Sequence, residues 1–344
     1  MTDLRRSAPS AVPRRPLTVE GSVELAVLTR SGLDESRHVG AGVVVDSAGS
    51  VLRAVGDVGA SIYPRSCLKP LQALTVMRSG VELEGPQAVL ATASHAGTPE
   101  HLAVVSSLLE RSGSVEDDLL CPADWPGDRA SARRAPEARR LAMNCSGKHA
   151  SFLLACAENG WDPATYTDLD HPLQRATRET VAEFTDETID HAGVDGCGAP
   201  VFATTITGLA LAVARVAGAA GDGTPSGDHR AGALVRAVLA DAWALDGPGR
   251  ANTVAIDELG LFAKLGAEGV LVMGTLDGIG TAVKVLDGNL RAATMVALHL
   301  LVGQGAVDAT AAEGVVEATR ERVLGAGHDV GRIRLGDGVL AARA

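Results

Sequence analysis

Between residues 22 and 57 apolar and polar positions alternate through "SVELAVLTR", "GAGVVVD" and "SVLRAVGD", the last two separated by a turn at Ser47-Ala48-Gly49. A period of two marks half-buried strands, so an antiparallel meander opens the fold. From Ser66 to about Leu245 the period lengthens to that of a helix. It predicts helices at 67–79, 86–93, 99–112, 136–143, 147–158, 172–185, 204–217 and 230–245, divided by Gly, Pro and Asp. Strand character returns in "GVLVMG" and "GTAVKVLDG", joined by a turn at Asp277-Gly278. Helices follow from Asn289 to Val302, stopped by Gly303, and from Asp308 to Leu324, with short strands near 331–342 closing the chain.

Strands at both ends with helices between them predict an α+β fold, an α/β sandwich. Its single antiparallel sheet draws on the N- and C-terminal parts, about 19–65 and 265–344, and a helical part, about 66–264, is inserted on one side. Residues 19–344 read as one domain. The opening "MTDLRRSAPSAVPRRPL" sets Arg5, Arg6, Arg14 and Arg15 among prolines with no apolar stretch after them, so 1–18 reads as a disordered tail rather than a signal peptide. "GAAGDGTPSGDH", 218–229, reads as a surface loop.

Composition narrows the function classes. Only 3% of the 344 residues are aromatic while 46% are hydrophobic, so Ala, Val and Leu must fill the core. A net charge of -11 without a Lys/Arg block excludes nucleic acid and anionic membrane surfaces as partners. The longest apolar windows are too short, or are interrupted by Arg215, to span a bilayer. A cytoplasmic location is expected. Five cysteines, Cys67, Cys121, Cys145, Cys156 and Cys197, are an odd number at irregular spacing, which points to buried residues or ligands rather than a disulfide framework.

Four stretches carry candidate chemistry. In "YPRSCLKPLQ", Ser66 and Lys69 stand three apart on what Pro64 and Pro70 restrict to the first turn of a helix. There Ser66 is either a nucleophile with Lys69 as its base, or a helix cap beside a solvated lysine. "MNCSGKHASFLL" clusters Cys145, Lys148 and His149 at a helix start, and "DGCGAP" places Cys197 beside Asp195. The thiols are zinc ligands or two buried small side chains. "ATASHAGTPEHL" puts Ser94 and His95 on a turn ahead of a helix capped by Thr98, with His95 and His101 as acid–base groups or as solvated turn residues. Lys264, in a Lys-x-Gly just before a strand, either reaches the same cleft or marks a strand end.

Taken in order, "PRSCLKPLQAL", "SHAGTPEH", "NCSGKHASFL", "DHPLQ", "DGCGAP", "GPGR" and "AKLGAEGV" resemble the rhizobial-type, or class 3, L-asparaginase family, over about residues 20 to 300. The resemblance implies a serine β-lactamase-like fold, hydrolysis of L-asparagine to L-aspartate and ammonia, and a homodimer with two Ser-Lys pairs in one site. It makes Ser66 the nucleophile with Lys69 as partner, and Ser94 with Lys264 the second pair. It gives Cys145, Lys148 and Cys197 to a zinc ion completed by water, and Asp195 to the substrate's α-amino group. Arg65 and His149 lie beside matched residues as further substrate contacts. Thr98, Met143 and Asn252 depart from the family pattern, and Asn252 is expected near the substrate, where it bears on selection of asparagine over glutamine. Two alternatives remain: a β-lactamase- or peptidase-like hydrolase, or a glutaminase, of the same fold; and a non-catalytic protein binding zinc or an amino acid. The absence of an S-D-N motif counts against a β-lactamase.

Overall fold

In a computed structural model describing residues 15–221 and 228–341, both alternating segments become strands of one sheet. The first yields β1 (Val23–Arg30), β2 (Leu33–Asp46) and β3 (Val51–Val55). The second yields β4 (Phe262–Leu265), β5 (Val270–Gly274) and β6 (Ile279–Val285), and the C-terminal part adds β7 (Val323–Gly325) and β8 (His328–Leu335). The order is β7-β8-β1-β2-β6-β5-β4, all antiparallel, with β3 alongside the second half of β2. An α+β fold with a sheet from both terminal parts is therefore what forms. Most of the expected tail, 1–14, and the middle of the 218–229 loop, 222–227, lie outside the described residues.

The two halves of the sheet meet on β2. Its residues 33–40 pair with β1 and residues 40–46 with β6, so Gly40 stands opposite both Val23 and Val285. A Cβ there would sit 2.0 Å from the Lys284 carbonyl oxygen, which leaves no room for any side chain.

The helices are α1 (Lys69–Arg78), α2 (Gly85–Thr92), α3 (Pro99–Ser112), α4 (Arg129–Arg134), α5 (Ser146–Asn159), α6 (Pro172–Thr185), α7 (Ile206–Gly218), α8 (His229–Ala240), α9 (Ala251–Leu259), α10 (Ala293–Val302) and α11 (Ala309–Thr319). The inserted helical part rests on one face of the sheet through α7, whose Ala210 carbonyl would be 2.4 Å from a Cβ on Gly280 of β6. The other face is covered by α10, whose Leu300 lies against Gly42 of β2. No helix of the described residues is long and apolar enough to cross a membrane.

Three expectations move. The helix expected at 136–143 lies earlier, at α4, because Asp128 caps it by accepting from Ser131 N, and Ala135 is extended ahead of Pro136. The helix expected to run to Leu324 stops at Thr319, since 323–325 pair with β8 and a strand removes its residues from a helix. Lys264 is not ahead of a strand but inside β4, because α9 already ends at Leu259 with Gly260 left-handed.

Replacing Gly40 by Ala should lower unfolding free energy by about 2 kcal/mol or more, because main chain, not a movable side chain, is in the way. Urea unfolding followed by circular dichroism measures it, and an unchanged midpoint would contradict the packing described.

Candidate active site

Helix α1 and strand β4 bring two lysines to one hydroxyl. Lys69 Nζ lies 2.9 Å and Lys264 Nζ 2.8 Å from Ser94 Oγ. Each amine also donates to a carbonyl, Lys69 to Ala93 and Lys264 to Leu265. Lys69 is 1% and Lys264 0% exposed, so neither charge is solvated by water. Burial and then the positive charge of Lys69 pull Lys264 down to about 8. Roughly one molecule in ten then carries it neutral at pH 7, ready to accept a proton from Ser94.

Ser94 is held rigidly. Helix α2 ends at Thr92, and the next residues run extended between two other segments: Ser94 N–H donates to Leu245 O, His95 N–H to Asn144 O and Ala96 N–H to Asp246 O. His95 and His101 are buried, not solvated turn residues as one reading of the sequence has them, and their ring nitrogens are taken up by this scaffold. His95 Nδ1 accepts from Gly97 N–H, which leaves its Nε2–H to donate to Ser146 Oγ, and burial pulls its pKa well below the usual imidazole value. His101 Nδ1 accepts from Thr98 in a capping box, and its Nε2–H meets the Trp243 carbonyl.

Ser66 stands on a single 3-10 turn, Arg65–Leu68, that leads into α1. Lys69 is one turn on, yet its amine ends on Ser94, so the hydrogen bond found is not the Ser66–Lys69 pairing expected. Ser66 is half-buried, and no hydrogen bond reaches its Oγ among the described residues. Its neighbour Cys67 gives its S–H to the Lys264 carbonyl, and burial pushes that thiol up to about 12, so it is not a nucleophile. Arg65 adopts a left-handed φ of 52°, a strained conformation for a side-chain-bearing residue. That turn aims its guanidinium at Asp195, 2.7 Å away, with Glu268 at 3.7 Å.

Beside this lies a sulfur-rich cluster. Cys145 precedes α5, Lys148 is in the first turn of that helix, and Cys197 sits on the tight turn between the short strands Ala192–Val194 and Pro200–Phe202. Helix α5 reaches this position because Gly147 lets it press on α2: a Cβ there would be 2.5 Å from the Leu90 carbonyl. Lys148 Nζ is 3.0 Å from Cys197 Sγ, and all three residues are buried. The neighbouring Cys145 thiol, then the Lys148 charge, hold Cys197 far below the usual thiol range, while the pairing raises Cys145. His149 is fully buried rather than open to the cleft. Leu120 N–H donates to Tyr166 Oη, so the tyrosine hydroxyl donates to His149 Nδ1, and His149 Nε2, which meets no geometric hydrogen-bond partner among the described residues, lies beside Cys197.

Among the described residues no group of three or more His, Cys, Asp and Glu is arranged to hold a metal. Two cysteine sulfurs with a lysine nitrogen in contact, one sulfur held as thiolate, nonetheless form a donor set suited to zinc.

Tyr166 and Asp246 were not singled out by sequence. Their signal is only a polar residue among loop residues, and it is contacts from distant segments that give them meaning. Asn252, expected near the substrate, is 3% exposed and bonded to Asp246 and to the backbone of Leu265.

Lys264 should titrate near pH 8 in an NMR titration of lysine-labelled protein, with the signal assigned by its loss in Lys264→Met. Lys69→Met removes a positive neighbour and should raise that midpoint; a midpoint that falls or stays would contradict the coupling.

A family model described as L-asparaginase II matches residues 26–335 of this chain. A solved β-lactamase from Mycobacterium bovis is similar at 16% identity and a TM-score of 0.40, covering 76% of this chain and 93% of that one, a likeness too loose to define fold or reaction. No curated protein matches the chain.

Proposed function

Because the chain belongs to the L-asparaginase II family, it is an amidohydrolase of the L-asparaginase type, and we propose that it hydrolyses L-asparagine through a serine acyl-enzyme. The observation that carries the mechanism is the meeting of two buried lysines on Ser94 Oγ, one of them lowered to about 8.

In this reading Ser66 is the nucleophile. Ser66 is half-buried and its hydroxyl has no hydrogen-bond partner among the described residues, so it is open to a substrate, whereas Ser94 is committed to both amines. Lys69 shares a helical turn with Ser66 and reaches Ser94, so it links the two. As Ser66 Oγ bonds to the side-chain carbonyl carbon, Lys69 takes its proton and hands one to Ser94, which passes its own to Lys264. Lys264 becomes cationic as it takes that proton, and its charge stabilises the forming oxyanion. Collapse of the tetrahedral species breaks the C–N bond, the departing nitrogen takes the proton back, and ammonia leaves an aspartyl ester on Ser66. Water then cleaves the ester by the same relay, releasing L-aspartate.

Arg65 and Asp195 anchor the substrate. Their ion pair offers opposite charges at one point, so a zwitterion can replace it with two pairs, its α-carboxylate on Arg65 and its α-ammonium on Asp195. Cys145, Lys148 and Cys197 would hold zinc, with His149 next to the site. The ion would supply a fixed positive charge and a template for the residues around the substrate. Lys148 binds it as the neutral amine. The reading includes a homodimer, which light scattering measures directly.

Purified protein should release ammonia from L-asparagine and far less from L-glutamine; no release from either would sink the assignment. Ser66→Ala and Lys69→Ala should each lower kcat by roughly 10³-fold or more while leaving the circular dichroism spectrum unchanged. An aspartyl adduct found by mass spectrometry on Ser94 rather than Ser66 would reverse their roles. Cys197→Ala should lower zinc per chain, read by metal analysis after growth with zinc; zinc-free wild-type protein would refute the metal site.

A further inference from the structure

Asn252, buried in the first turn of α9, bridges two segments that carry the proposed proton relay. Its side-chain Nδ2 donates to Asp246 Oδ2 at 3.0 Å, and its Oδ1 accepts the Leu265 N–H at 2.8 Å. These partners fix the orientation of the amide, since a carboxylate only accepts and a backbone N–H only donates. Leu265 follows Lys264 in β4, and the Leu265 carbonyl is the acceptor that holds Lys264 Nζ at 2.9 Å. On the other side, the Asp246 carbonyl accepts from Ala96 N–H, and the preceding Leu245 carbonyl accepts from Ser94 N–H. One amide thus joins the peptide that anchors the lysine to the peptide that anchors the serine.

The Asp246 carboxylate completes the bridge. Its side chain is 7% exposed and its other oxygen takes Arg250 Nε at 2.8 Å, so all its charge is answered by one guanidinium at the surface and one amide inside. A side chain with neither donor nor acceptor at 252 would leave a buried carboxylate oxygen unpaired and the Leu265 N–H without an acceptor, a heavy penalty for both.

We propose that Asn252, with Asp246, is a positioning residue that sets the Lys264–Ser94 contact and the electrostatic field on Lys264. The inference rests on the amidohydrolase reading above. Asn252 hydrogen-bonds to Asp246 and Leu265, not to Ser94 or either lysine, and acts through those two. The charged and titratable groups around Lys264 are Lys69 from α1, Cys67 from the turn before it, Asp246 from the loop before α9, and Cys145 from the start of α5. Among these the Asp246 charge opposes the lowering of Lys264, and the Asn252 amide fixes where that carboxylate sits by donating to it.

The test uses the full-length enzyme, with ammonia release from L-asparagine measured from pH 6 to pH 10. Asn252→Ala should lower kcat by roughly 10- to 100-fold with KM changed by less than about threefold, because the relay and not the substrate anchors is disturbed. Asn252→Asp keeps an acceptor for Leu265 N–H and should recover most of kcat. It sets a second carboxyl against Asp246, and once that pair has lost its shared proton the added negative charge should move the ascending limb of kcat/KM to higher pH by roughly one unit. Wild-type kcat and an unmoved limb in both variants would overturn the inference. So would equal kcat losses in both that track a fall in Tm with the limb unmoved, since a purely structural residue behaves that way. Should Asn252→Ala fail to fold, the limb of Asn252→Asp decides alone. Wild-type enzyme that releases no ammonia would instead reject the underlying assignment, so the two failures are distinct.

Discussion

Two buried amines on one hydroxyl set the demands that the surrounding structure meets. A lysine removed from water favours its neutral form, and a second cation nearby strengthens that preference. Lys264 responds by dropping to about 8, while each amine keeps a carbonyl, Ala93 or Leu265, as a second partner. Holding such a cluster requires its supports to be rigid, because a displaced carbonyl would leave an ammonium without an acceptor in a dry interior. The extended path of Ser94 to Ala96, pinned by three backbone bonds to two other segments, supplies that rigidity.

The same constraint explains the unusual use of histidine. His95, His101 and His149 are all buried, and each accepts at Nδ1 from a neighbour, Gly97, Thr98 or Tyr166. Each is thereby held as a neutral ring with its proton on Nε2. Burial lowers all three, so they bring no extra positive charge into a region already holding Lys69, Lys148 and Lys264. Around the cysteines the balance is made differently, with the Cys197 thiolate set against Lys148.

Periodicity carried the fold's outline well. The strands at 22–57, the hairpin around Asp277, the capped helix after Pro99 and the insertion between strand segments all follow from local patterns, since alternation and caps are properties of neighbouring residues. Patterns failed where a distant partner decided the outcome. Residues 323–325 looked like the end of a helix and became an edge strand because β8 pairs with them. The short pairings of Ser61–Ile62 with Thr204–Thr205 and of Ala192–Val194 with Pro200–Phe202 had no local signature at all.

For the site, sequence alone determined which chemistry was present: serines with lysines in short motifs, two cysteines with a lysine, and an arginine and an aspartate fit for a zwitterion. Spacing along the chain fixes which groups share a turn, so Ser66 and Lys69 were legible as neighbours. Tertiary structure decided which groups meet. Lys69 turns from Ser66 to Ser94, 25 residues on, where Lys264 arrives from 170 residues away. Asn252 leaves the expected cleft for the interior, where Asp246 and Leu265 hold it. The physical reason is that a buried charge selects the partner that satisfies it in three dimensions, and nothing in the order of residues along a chain records that partner.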